Sequence, residues 1–60
     1  MKLTRRVNLG GYQSMEFASN ERTAISEAAQ DLVDQMTPLV PAYPVLKQMI
    51  AEIRMAYKLP

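Results

Sequence analysis

Glu27, Asp31 and Asp34 stand at i, i+4 and i+7, a spacing that sets three carboxylates on one face of a helix. Paired carboxylates can do general acid–base work when burial or a neighbouring charge moves their pKa values towards the working pH. A surface helix of a 60-residue chain offers no pocket for such a shift. The cluster is therefore expected to keep the helix soluble, or to face a basic surface such as Lys47, Arg54 and Lys58 of another copy. Ser14, Ser19 and Ser26 have no base to activate them, because the chain contains no His. With no Cys either, the usual ligands of a structural zinc site are missing. Gly10-Gly11 alone falls far short of a phosphate-binding loop. These residue types point away from an enzyme. No catalytic residue, metal, cofactor or small-molecule substrate is expected, and binding is left as the activity.

The side chains suited to recognition are concentrated near the N-terminus. Lys2, Thr4, Arg6 and Asn8 alternate with Leu3, Arg5, Val7 and Leu9, and a strand of period two sends the two sets to opposite faces. Gly10-Gly11 marks a turn, and the register follows from the side chains beyond it. A two-residue Gly-Gly turn would put Met15 and Phe17 on the face of Thr4 and Arg6, mixing apolar with basic. A three-residue loop, Gly10-Gly11-Tyr12, puts them with Val7 and Leu9. It also sets Arg6 across from Glu16, a pair contributing roughly 0.2–1 kcal/mol. Residues 3–17 are thus expected to form an amphipathic β-hairpin, with Gly at the left-handed position that such loops use. Arg5, Arg6, Tyr12 and Glu16 then make the working surface, because Arg and Tyr are enriched at binding hot spots and a hairpin tip projects to where a partner can reach it. Tyr12 itself is expected to rest back over the hairpin core. Turned outward, its ring would anchor an interface or stack on a base.

Two helices must complete the structure. Ser19 and Asn20 are good N-cap residues and Glu21 suits a first turn, so a helix is expected over residues 20–37. Ala24, Ile25, Ala28, Ala29, Leu32, Val33 and Met36 form one continuous apolar stripe along it. Pro38 disfavours helical geometry at Thr37 and ends it. Residues 38–43 make a Pro-rich connector, expected to be a stiff link. The spacing of Pro38, Pro41 and Pro44 by three also suits a polyproline II ligand with its rings on one side. A second helix is expected over residues 44–58, with Pro44 as its first residue and Val45, Leu46, Met49, Ile50, Ile53, Ala56 and Tyr57 as its apolar face. The expected fold class is α+β: an N-terminal β-hairpin followed by two antiparallel amphipathic helices (ββαα), one small domain over residues 1–60.

A chain this short buries only about 60% of its unfolded surface, and single cores of this size rarely supply more than ~3–5 kcal/mol. Disulfides are impossible without Cys, which leaves self-association as the way to enlarge the core. Ile25, Leu32, Met36, Met49, Ile50 and Ile53 are expected to be shared between copies in a homo-oligomer, most simply a dimer. The net charge of +1 is too small to imply a polyanion partner. The first residues lack the apolar core of a signal peptide, and no apolar run approaches the ~18 residues of a membrane span. No membrane contact is expected, and a cytoplasmic location is, in agreement with the absence of Cys.

The ten residues Asn8-Leu9-Gly10-Gly11-Tyr12-Gln13-Ser14-Met15-Glu16-Phe17 resemble a turn-and-strand block of small, poorly characterised bacteriophage accessory proteins: an Asn-Leu-Gly, then Tyr, then an alternating strand. The resemblance implies a non-catalytic accessory or regulatory protein in the host cytoplasm that binds and modulates, or inhibits, a host or phage macromolecule, a protein ahead of a nucleic acid. The order strand, helix, helix also resembles the ribbon-helix-helix repressors, whose paired strands read base edges in the major groove. Lys2, Thr4, Arg6 and Asn8 would be the reading residues. Two features depart from that family: residues 10–17 insert a second expected strand, and the inter-helix turn carries prolines in place of a short polar turn. A ribbon-type DNA-binding transcriptional repressor is the alternative expectation.

Overall fold

Alternating apolar and polar residues on either side of the two glycines fold into an antiparallel pair, β1 (Thr4–Gly10) and β2 (Gln13–Ala18). The computed structural model describes all 60 residues. Arg5 lies opposite Phe17, Arg6 opposite Glu16 and Val7 opposite Met15, the register expected of a three-residue loop. The loop reaches that register by another route. Gly10 pairs with Gln13 and the ladder slips between Asn8 and Gly10, so a bulge absorbs the extra residue ahead of a Gly11-Tyr12 turn. Gly10 and Gly11 have φ of 140° and 58°, conformations that a Cβ disfavours. Asn8 Oδ1 accepts a hydrogen bond from the Gly10 N–H at 3.0 Å and holds the slip in place.

The first helix starts later than expected. Ser19 donates its N–H to the Leu3 carbonyl at 2.8 Å, and its buried Oγ accepts from the Leu3 N–H at 2.7 Å. Ser19 therefore extends the hairpin, six residues ahead of the helix, with its hydroxyl turned towards Leu3. The chain stays beside the N-terminal residues as far as Arg22, whose N–H reaches the Met1 carbonyl. α1 spans Ile25–Met36, with Ala24 at its N-cap and no side chain bonded there. Its end matches the expectation from Pro38, and Thr37 Oγ1 donates to the Val33 carbonyl at 2.7 Å.

The connector is not polyproline II. Thr37–Leu39 form one turn of 3₁₀ helix, and the N–H groups of Ala42 and Tyr43 both reach the Leu39 carbonyl. Internal bonds of this kind are absent from a polyproline helix. α2 spans Val45–Ala56 with Pro44 at its N-cap, slightly shorter at both ends than expected. It closes in a Schellman pattern: Leu59 N–H to Arg54 carbonyl at 2.8 Å, Lys58 N–H to Met55 carbonyl at 3.4 Å, and Lys58 in the left-handed region at φ 54°.

α1 packs on β2, α2 packs on β1, and the helices pack on each other. Val7, Phe17, Ala29, Leu32, Val33, Met36, Leu46 and Ile53 meet in one core. Ala28 and Ala29 are fully buried, and their small side chains let α1 come close to its neighbours. This corrects the set expected to lie between copies. Leu32, Met36 and Ile53 are enclosed within a single chain, each side chain contributing about 1.5–3 kcal/mol by burial. Met49 and Ile50 are partly covered, and Ile25 remains 42% exposed. No helix is long and apolar enough to cross a membrane.

Candidate binding surface of the hairpin

The Leu3–Ser19 bond sets the phase of the hairpin. Hydrogen-bonded pairs alternate with unbonded ones in an antiparallel ladder, so Leu3, Arg5 and Val7 bond towards β2, while Thr4, Arg6 and Asn8 turn their backbone groups outward. Side chains approach more closely at unbonded pairs, and Arg6 and Glu16 form one. Arg6 Nη2 and Glu16 Oε2 are 3.8 Å apart on the face turned away from the helices, with side chains 72% and 54% exposed. Such an open pair adds little stability. It does leave a charged couple available to a partner.

Tyr12 does not fold back over the core. It is fully exposed at the tip of the hairpin. Arg5 falls on the other side from Arg6 and Glu16. Opposite Phe17, it faces the helices, and its Nη2 donates to the Tyr57 hydroxyl at 3.3 Å. With Met49, Glu52, Ile53 and Ala56 it lines an open groove of about 230 Å³ beside β1. The four expected binding residues are therefore divided: Arg6, Glu16 and the tip at Tyr12 on the outer side, Arg5 in a groove on the inner side. The signal for this division was the shared parity of Arg5 with Leu3 and Val7.

Lys2, Thr4, Arg6 and Asn8, the residues suited to reading bases, are all exposed. Two of them have other engagements. Asn8 Oδ1 is held by Gly10 and Arg6 lies against Glu16, whose carboxylate would also oppose a phosphate backbone.

The acidic residues of α1 are mostly architectural. Asp31 Oδ2 accepts from the Asn20 N–H at 3.1 Å and from Gln35 Nε2 at 3.4 Å, and Oδ1 lies 3.9 Å from Arg22. Asp34 accepts from Gln30 at 2.9 Å. Asp31 thus ties the segment between β2 and α1 to the helix, a role hidden in the sequence because its partners lie outside the helical repeat. No group of three or more acidic side chains is placed to hold a metal ion.

No protein-family model, curated protein or solved structure matches this chain.

Proposed function

We propose that this chain is a non-catalytic, phage-like accessory or regulatory protein that binds and modulates a host or phage protein in the host cytoplasm. The observation that carries the reading is Tyr12, a fully exposed aromatic at the tip of a hairpin whose outer face presents the Arg6–Glu16 couple. Tyr and Arg are the residue types of binding hot spots, and a tyrosine ring has only two side-chain angles to fix when it docks. Association of copies belongs to the same reading and falls to the apolar side chains of the helices left outside the core, Ile25, Val45 and Met55. Affinity capture from bacterial lysate, with and without nuclease, tests the proposal. A partner retained after nuclease, lost with Tyr12→Ala and kept with Glu27→Lys, supports it; capture that ignores Tyr12→Ala and Arg6→Ala retires it.

A second reading, duplex recognition by a ribbon-type repressor, is favoured by one observation: Thr4, Arg6 and Asn8 lie exposed on one face of a strand. The engagement of Arg6 and Asn8 and the net charge of +1 weigh against it.

A further inference from the structure

A two-stranded sheet has two open edges, and here they differ. On β2 the outward-facing residues are Ser14, Glu16 and Ala18, and the Ala18 carbonyl is taken by Gln35 Nε2 at 2.7 Å. On β1 the outward-facing residues are Thr4, Arg6 and Asn8, and no side chain or neighbouring loop bonds their backbone groups. Three N–H and three C=O groups therefore stand in a row. On the inner side of β1, between it and α2, lies the groove formed by Arg5, Met49, Glu52, Ile53 and Ala56. A free strand edge beside an apolar trough has the two features that strand addition uses: main-chain bonds for affinity and a recess for alternate side chains.

We propose that β1 accepts an extended segment of a partner protein as a third strand, and that this segment alternates acidic with apolar residues. The proposal deepens the protein-binding reading above and rests on it. The alternation follows from the two faces of the strand. Towards the helices, the guest's side chains meet Met49 and Ala56 between Arg5 and Glu52, whose opposite charges offset each other, so apolar residues fit there and a charge of either sign gains little. Towards solvent they come alongside Arg6, with Lys2 nearby in the chain. Glu16, the partner of Arg6, lies one strand further away on β2 and so opposes an edge guest less than a ligand laid across the outer face. Residues 1–10 hold Lys2, Arg5 and Arg6 and no acid, so acidic residues fit on that side.

A second copy of β1 gains no such complement. Set antiparallel about Arg6 or about Arg5, it brings two arginines face to face, and like charges directly opposite are destabilising in a sheet; set about Val7, the middle of the strand, it brings Arg6 against Asn8, with no opposite charge to meet. An acidic guest supplies that charge, so the edge favours it over its own kind.

The test uses the full chain and an end-blocked synthetic peptide of about seven residues alternating valine and glutamate, the length of a typical strand. Lysine-for-glutamate and central-proline peptides serve as controls. Amide hydrogen exchange and inter-chain NOEs are read by NMR. The expected result is slowed exchange at Thr4, Arg6 and Asn8 with the valine–glutamate peptide and with neither control. Arg6→Pro removes one outward N–H and no bond to β2, so it should weaken the peptide by about tenfold or more, while Arg6→Ala, which keeps the N–H, weakens it less. Thr4→Pro, at the first residue of the strand, makes the same test should Arg6→Pro disturb the hairpin. Protection at other amides, equal binding of the lysine peptide, no protection with any peptide, or binding indifferent to both proline variants overturns strand addition. So does duplex DNA, or a second copy of the chain, protecting these amides in the peptide's place. None of these results touches the Tyr12-dependent capture, so the two proposals fail separately.

Discussion

Gln35 reaches from α1 to the end of β2, where its Nε2 donates to the Ala18 carbonyl oxygen over 2.7 Å. The same nitrogen lies 3.4 Å from Asp31 Oδ2, which in turn accepts the Asn20 N–H. Helix, strand end and connecting segment are joined by this short relay. Asp31→Ala should lower stability by about 1–2 kcal/mol, because it strips the partner from a backbone donor and frees Gln35. Urea unfolding checks this. A Glu27→Ala control, with no such partners, should stay within about 0.5 kcal/mol of the parent.

Leu32 and Ile53 sit fully buried at the meeting of ribbon and helices. Truncating either to Ala removes apolar contacts and leaves a cavity, at a cost of about 2–5 kcal/mol. A core of this size supplies about 3–5 kcal/mol in total. Loss of the cooperative melt by circular dichroism is therefore expected for both variants. A melt shifted by only a few degrees would show that these positions are not the centre of the core.

Lys58 holds the left-handed residue of the Schellman closure with a side chain that disfavours it. Lys58→Gly should stabilise the chain by about 1 kcal/mol and raise its melting temperature. An unchanged or lower melting temperature would mean that the end of α2 frays in solution and bears no strain.

Ile25 is the most exposed of the apolar side chains expected to join copies. Sedimentation at micromolar concentration should show association that Ile25→Glu abolishes while the helical signal persists. A parent chain that sediments as a monomer, with a melt independent of concentration, removes self-association from the proposed function.

Duplex DNA offers the sharpest test of the second reading. Binding through the outer face would fall steeply with salt, and Arg6→Ala would cost roughly 1–3 kcal/mol at a specific site. With Glu16 lying against Arg6, we expect no specific complex even at about 50 mM salt.

Much of the fold was legible in the residues. The position of Met15 and Phe17 relative to Val7 dictated the strand register, because only one pairing keeps all three on the same side. The end of α1 was legible through Pro38, whose ring acts on its own neighbour. The start of α1 was not. Ser19 and Asn20 carry the side chains of N-caps, yet Ser19 spends its hydroxyl on Leu3, sixteen positions away. Burial within one copy was misjudged for a related reason: the closeness that Ala28 and Ala29 allow depends on what they pack against. On the candidate surface, Arg6 and Glu16 lie together as the register implies, and Tyr12 stands exposed at the tip. Arg5 shares the residue type of Arg6, but its alternation with Leu3 and Val7 assigns it to the other side.

The unequal edges of the ribbon also set its valency. With Ala18 occupied by Gln35, the free stretch of β2 shrinks to Ser14 and Glu16, while β1 keeps Thr4, Arg6 and Asn8. The two edges are thus unequal hosts: the longer one on β1 should take its guest first, so the expected complex holds one guest per copy, and a second strand would have to start from the two residues left open on β2.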